Sequence, residues 1–265
     1  MRIEAFIIDP QVDFCSPKGT LYVNGAEDDM SRLAAFIRRV PQKLDAIHVT
    51  LDSHNPFDVA HPLYWKDATG AHPSPFTIIG ASDVENGVWM PVRPNLYNYS
   101  LQYVKKLEAA GRYPLCIWPP HCLIGTHGQT VIEPLAGALK EWAENRIGLV
   151  NYVTKGSNPL TEHYSAIRAE VPDPNDPSTQ LNTRLIQTLM KADLIVLAGE
   201  AGSHCLANTV RDLVNEFGDD SYVKKLVLLR DCTSPVPGFE KLQSDFIDDM
   251  TAKGMQLACS TDFLR

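Results

Sequence analysis

Aspartate, histidine, lysine and cysteine stand in this sequence at positions where they could bind a metal ion or attack a carbonyl carbon. Asp52-Ser53-His54 puts a carboxylate and an imidazole two residues apart, and in an extended segment positions i and i+2 project to the same side. A third ligand could come from His121, in Trp118-Pro119-Pro120-His121-Cys122, and a fourth from His61, in Phe57-Asp58-Val59-Ala60-His61. One carboxylate with two or three imidazoles suits Zn, Fe or Mn, and positions filled by water would leave room for a substrate. A D-x-H triplet alone carries little weight. For His61 and His72 the other reading is a histidine on an exposed loop.

Cys205 follows the run Ala198-Gly199-Glu200-Ala201-Gly202-Ser203-His204, where an apolar segment turns into a helical pattern. At a helix start, unpaired backbone N–H groups and the positive end of the dipole favour a thiolate. A neighbouring Lys155 ammonium would lower the thiol pKa further, and Asp9 could accept its proton and deliver it to a leaving group. The same N–H groups could form an oxyanion hole for a tetrahedral intermediate. The competing reading is a small buried cysteine at a strand-to-helix turn, since polar residues are common wherever a strand leaves the core. Cys15, Cys116, Cys122, Cys232 and Cys259 take that structural reading. With no C-x-x-C pair, neither a disulfide scaffold nor a zinc ribbon is suggested.

These residues need a scaffold that brings distant segments together. Six short apolar runs predict buried strands at 3–8, 46–51, 148–154, 194–198, 226–229 and 255–260. Helical spacing falls between most of them, at 29–40, 181–190, 204–217 and 239–253. Alternation of this kind predicts an α/β fold: a doubly wound, six-stranded parallel sheet with helices on both faces. Ligands then sit outside the carboxyl ends of the strands, where Asp9, Asp52, Lys155 and the Cys205 turn all fall. The stretch 55–122 breaks the rhythm, being rich in Pro, Gly, His and aromatics with one helix-like piece at 96–111. It reads as an enlarged loop region that covers a site, and 170–179 as a second, solvent-exposed loop. Residues 1–265 read as a single domain.

The composition narrows the partners. The 265 residues include 24 Lys+Arg against 32 Asp+Glu, a formal net charge of -8, which argues against nucleic acid and anionic membranes. The apolar runs are far short of a membrane span, and Met-Arg-Ile-Glu opens no signal-peptide core, so the chain reads as cytoplasmic. There is no G-x-G-x-x-G after the first run and no phosphate-binding P-loop, so a nucleotide cofactor is not supported. A small-molecule partner remains, and a homo-oligomer is left open.

Taken together, the motifs resemble the nicotinamidase/pyrazinamidase branch of the isochorismatase-like cysteine hydrolases. Ile7-Ile8-Asp9-Pro10-Gln11-Val12-Asp13-Phe14-Cys15, with Gly19-Thr20-Leu21 and Gly25-Ala26, looks like the family's first strand and loop. Thr50 to Pro56 looks like its metal-binding segment, and Ile117 to Cys122 with Gly125-Thr126 like its W-P-x-H-C-x-x-G-T motif. Tyr152-Val153-Thr154-Lys155-Gly156 is similar to the catalytic-lysine strand, Ala198 to Val210 to the nucleophile turn and helix, and Leu257 to Thr261 to the closing strand. The resemblance spans nearly the whole chain in the family's order.

That resemblance implies Asp9 as proton shuttle, Lys155 as the cation and Cys205 as the nucleophile. It implies Asp52, His54 and His121 as ligands of one divalent metal ion, zinc first, with His61 as a fourth that varies in the family. Phe14 and Trp118 would sandwich the substrate ring, while the metal anchors the pyridine nitrogen. The oxyanion hole would be the N–H groups of Ala201 and Cys205, with a cis peptide between Glu200 and Ala201. Three departures bear on substrate: Glu200 stands where the family is usually aliphatic, Gly202-Ser203-His204 replaces the more familiar T-D/T-Y type of run before the cysteine, and the segment between His61 and Trp118 is longer than in compact nicotinamidases.

The expected activity is a metal-dependent amidase that hydrolyses nicotinamide to nicotinate and ammonia through a cysteine thioester. The runner-up is a related cysteine amidase acting on another small carboxamide, carbamoyl compound or ureide. An isochorismate-type hydrolase is disfavoured because those enzymes lack the cysteine. A non-enzymatic binding module is the remaining rival, although its usual sign, a missing triad residue, is absent.

Overall fold

The apolar runs are bounded by turn residues and are too short to bury a helical face. In the computed structural model, which describes residues 1–265 apart from the side chain of Asp220, they form one parallel sheet. Its strands are β1 (Ile3–Ile8), β2 (Ala46–Asp52), β3 (Val150–Lys155), β4 (Leu194–Gly199), β5 (Leu226–Leu229) and β6 (Gln256–Ala258). They lie in the order β6-β5-β4-β1-β2-β3, every neighbouring pair parallel. This is the expected doubly wound, six-stranded sheet. Its principal helices are α1 (Ala26–Arg39), α2 (Tyr97–Ala110), α3 (Leu135–Arg146), α4 (Thr183–Leu189), α5 (Cys205–Phe217) and α6 (Glu240–Ala252).

Helix α1 packs against α3, while α5 contacts α4 and α6, giving two helix groups around the sheet. Strands β1 and β5 are buried along their whole length, as strands covered on both faces must be. In α1 the buried side chains Met30, Leu33, Ala34 and Ile37 recur at helical spacing. Its acidic first turn, Glu27 to Asp29, and basic last turn, Arg38 and Arg39, complement the helix dipole. Helix α1 starts at Ala26, ahead of the expected 29, because Gly25 makes the entry turn at a φ of 94°. Helix α3 fills a stretch to which the alternation assigned no element.

The region 55–122 is more ordered than the expected loop. It holds two short antiparallel pairs, Trp65–Lys66 with Met90–Pro91 and Ile78–Ile79 with Leu115–Cys116, besides a short helix at Ala81–Glu85 and α2. Two-residue strands are too short for any periodicity to announce them. Trp65 anchors the region, with its ring fully buried and its indole N–H donating to the Val59 carbonyl at 2.7 Å. The 170–179 loop is also less free than expected, for Thr179 is buried and Asp176 accepts a bond from Asn158 at 2.8 Å. Among the described residues no helix is long and apolar enough to cross a membrane.

The chain runs outward from β1 through β2 to β3, then returns to the other side of β1 for β4. The order therefore reverses between β1 and β4, and a crevice opens at their carboxyl ends. Gly199 closes β4 there at a φ of 112°, and a Cβ on it would lie 2.1 Å from the Ile8 carbonyl oxygen. Only glycine lets the two strand ends approach so closely. Gly199→Ala is expected to cost about 2–5 kcal/mol from strain and overpacking together. A lowered urea midpoint in equilibrium unfolding would register it, and an unchanged midpoint would contradict the close approach.

Candidate active site

Asp9 follows the last residue of β1, and Asp52 and Lys155 end β2 and β3 as partners across the ladder. The Lys155 ammonium lies 2.9 Å from Asp9 Oδ2 and 3.1 Å from Asp52 Oδ1. It donates to the His163 carbonyl at 2.9 Å and reaches Cys205 Sγ at 3.6 Å. The four side chains expected from the strand ends thus meet around one buried nitrogen. Asp9 bends out of β1 in the left-handed region, at a φ of 43°. Thr50 holds it there, accepting from the Asp9 N–H at 2.9 Å and donating its hydroxyl to Asp9 Oδ1.

Burial sets the electrostatics of this cluster. Burial alone would lower the Lys155 pKa, but Asp52, Asp9 and Cys205 hold it well above its ordinary value, so the ammonium keeps its charge. Burial also pushes the Cys205 thiol well up; Lys155 works against that shift, and Asp9 and Asp52 add to it. The lowering expected from Lys155 is present, with desolvation and two carboxylates acting against it. Burial raises Asp9 as well, against the pull of Lys155, and an Asp9 carboxyl oxygen lies within 4.8 Å of Cys205 Sγ. An acceptor for the thiol proton is therefore already in place.

Beyond β4 the chain passes through a cis Glu200–Ala201 peptide, the one the resemblance implied, before α5 begins at Cys205. The N–H groups of Glu200, Gly202, His204 and Leu206 all donate to backbone carbonyls. Those of Ala201 and Cys205 donate to no backbone or side-chain acceptor among the described residues, and both residues line the same cavity. Unpaired donors at a cavity wall suit a ligand oxygen that carries negative charge.

His54, His61 and His121 form a second cluster beside Asp52, their ligand atoms all within 4.8 Å of one another. Each ring has its Nδ1 against a separate oxygen: His54 on Asp58 Oδ2 at 3.0 Å, His61 on the Asn55 carbonyl at 3.3 Å and His121 on the Pro119 carbonyl at 2.8 Å. That arrangement turns the Nε2 atoms inward, as outer partners do for metal-binding histidines. Asp52 Oδ2 lies 3.1 Å from His54 Nε2 and 3.5 Å from His121 Nε2. His61 Nε2 is buried and has no partner among the described residues.

The donor set fits a divalent ion. Burial pushes His61 down to about 2, with His121 and His54 adding to the shift, so its nitrogen keeps a free lone pair. At His54 burial is overcome by Asp52 and Asp58, which favour positive charge there, whether a proton or a metal ion. The segments carrying these rings are laced together: the His54 N–H donates to the Cys122 carbonyl, and the Ile124 N–H donates to that of His54. Of the two loop histidines left open by sequence, His61 joins the cluster. His72 is exposed, with its Nδ1 2.6 Å from the Trp65 carbonyl.

Phe14, Trp118, Asp52, His121, Ala201 and Cys205 line one mostly apolar cavity. Several lining residues had no signal in the sequence. Glu162 and Tyr164 lie in an aperiodic loop after β3, and Tyr164 accepts the Trp118 indole N–H at 2.9 Å. Burial lifts the Glu162 carboxyl to about 7, and its Oε2 is unpartnered among the described residues. His204 also lines the cavity, its ring at 5.5 Å from that of Trp118. Gln11 and Asp13, within the first motif, act as braces. The Gln11 amide both donates to and accepts from the Asp52 backbone at 2.7 Å, and Asp13 Oδ2 accepts the Cys122 N–H at 2.7 Å. Glu200 does not line the cavity.

No protein-family model matches the chain, and no curated protein matches it in sequence. Solved structures do match in fold. The yeast nicotinamidase Pnc1p bound to the inhibitor nicotinaldehyde superposes with a TM-score of 0.67 at 17% identity, over 97% of this chain and 99% of that one. PnC1 from L. infantum in complex with nicotinate gives 0.60 at 21% identity, over 98% and 93%. The pyrazinamidase of Pyrococcus horikoshii in complex with zinc gives 0.58 at 16% identity, over 98% and 99%. The chain has the isochorismatase-like α/β fold that these nicotinamidase and pyrazinamidase structures share.

Proposed function

We propose that this protein is a cysteine amidase that hydrolyses nicotinamide to nicotinate and ammonia, a reaction that would serve pyridine nucleotide salvage. The observation that carries this reading is the Lys155 contact with both Asp9 and Cys205 Sγ, at the edge of an apolar cavity that also holds Phe14 and Trp118. The nicotinate and nicotinaldehyde complexes of structures with the same fold support the choice of substrate. As Cys205 Sγ bonds to the carboxamide carbon, its proton passes to Asp9, and Lys155 balances the negative charge. The carbonyl oxygen takes up charge against the Ala201 and Cys205 N–H groups. When the C–N bond breaks, Asp9 returns the proton to nitrogen and ammonia leaves a thioester on Cys205. Asp9 then takes a proton from water, hydroxide adds to the thioester, and the departing sulfur regains its proton.

Asp52, His54 and His121, with His61, would hold one divalent ion, with zinc the first candidate and iron or manganese the others. When bound, that ion supplies a Lewis acid to which a heteroaromatic nitrogen can bind, which orients the ring over Cys205. Phe14, Trp118 and the apolar wall exclude water from the thioester.

Ammonia release from nicotinamide tests the activity. Cys205→Ala is expected to lower kcat by at least about 10³-fold, as loss of a nucleophile does. Cleavage of another carboxamide, carbamoyl compound or ureide in its place would move the assignment to the related amidases. Asp58→Asn removes the carboxylate behind His54 and should weaken zinc binding about 10–100-fold. Competition against a chromophoric chelator reads this directly, and an unchanged affinity would count against His54 as a ligand.

A further inference from the structure

Glu200 is fully buried beside Ala201, yet the reaction above gives it no task. Its N–H donates to the Ile8 carbonyl at 2.8 Å, and its Oε2 accepts the Ser234 N–H at 3.0 Å. On either side of it, the Gly199 N–H donates to the Cys232 carbonyl and the Gly202 N–H to the Ser234 carbonyl, each at 2.9 Å. The turn that carries Ala201 is thus splinted to the loop after β5 by two backbone bonds and this one side chain.

The other oxygen, Oε1, has no donor among the described residues, and Ser234, whose N–H meets Oε2, gives its hydroxyl to Asp29 Oδ2 on α1 at 2.6 Å. Asp29 also receives the Arg32 guanidinium at 2.6 Å. No cation pairs with Glu200 among the described residues, and a fully buried carboxyl without one is held as the neutral acid. Burial and then the Asp29 charge push Glu200 well above the usual carboxyl range, in the same direction. Asp29, Arg32 and Cys15 are the titratable and charged groups that face it, with Cys232 and Asp231 next around Arg32. Arg32 stays charged throughout, and burial keeps Cys15 and Cys232 as thiols.

We propose that Glu200 is a positioning residue: as a neutral acid it bridges the turn to Ser234, and so fixes the Glu200–Ala201 peptide with the Ala201 N–H aimed at the reacting carbonyl oxygen. This role rests on the amidase reading given above. Raising the pH removes that proton and leaves a buried carboxylate with no cation paired with it, which drives the turn out of place. The loss falls on kcat, because the N–H matters most when the oxygen carries charge.

The test is the pH dependence of kcat and KM for nicotinamide in the wild type, Glu200→Gln and Glu200→Ala, with metal bound. Glu200→Gln keeps an oxygen for the Ser234 N–H and cannot ionise, so it should retain kcat near neutrality and lose the alkaline decline tied to Glu200. Glu200→Ala should lower kcat about 10–100-fold with KM little changed. Coincident pH profiles for wild type and Glu200→Gln, or an unchanged kcat in Glu200→Ala, overturn the proposal. Infrared spectra of isotope-labelled glutamate give a readout free of activity: a buried carboxylic acid band in the wild type that is absent in Glu200→Gln. If that band is missing the bridge is refuted, whereas a present band with no nicotinamide cleavage refutes the amidase reading instead.

Discussion

Lys155 is the charge on which the rest of the site depends. Bringing an ammonium into the interior costs several kcal/mol, and it is tolerated only where opposite charges and hydrogen bonds surround it. Here Asp9, Asp52 and the His163 carbonyl do so at close range. That geometry is a matter of strand register, since Asp52 is the ladder partner of Lys155 and Ile8 is the partner of Gly199. A slip of one residue in any of these strands would turn the side chains to the opposite face and strand the charge. The sheet order adds the last constraint. By placing β4 beside β1, it delivers the turn that carries Ala201 and Cys205 to the same end of the sheet as Asp9.

Asp52 joins two kinds of chemistry in one side chain. Its Oδ1 faces Lys155, and its Oδ2 faces His54 and His121. Burial would raise its pKa, but His54 and Lys155 hold it well below the usual carboxylate range, so it stays charged towards both neighbours. The proton-handling cluster and the histidine cluster are therefore parts of one electrostatic unit. The folded insert at 55–122 completes that unit, for it brings His61 and His121 to an Asp52–His54 corner that the sheet alone would leave half built. Its aromatic anchors, Tyr64 and Trp65, explain why so long an interruption of the strand-helix rhythm can hold His61 and His121 at fixed positions.

Much of the architecture was legible in the sequence. The runs at 3–8 and 226–229 coincide with β1 and β5, and the other four sheet strands differ from their predicted bounds by no more than two residues at either end. Helix α3 and the two-residue strands of the insert were not legible, the latter because they have no periodicity of their own. Among the side chains, Asp9, Asp52, Lys155 and Cys205 could be picked out because each stands at or just beyond a strand's carboxyl end. Glu162 and Tyr164 could not, since nothing local distinguishes them from other loop residues, while His204 stood out only as part of the unusual run before Cys205.

The sequence by itself determined which segments become strands, their alternation with helices, and the reactive residue types at their ends, because spacing along the chain is a local property. Only the tertiary structure decided which of His61 and His72 joins the histidine cluster, and that the Cys205 thiol is fully enclosed beside Lys155. It also decided that Glu200 turns away from the cavity to meet Ser234. Each of these depends on what segments far apart in sequence leave buried, charged or without a partner when they pack, and no spacing rule carries that information.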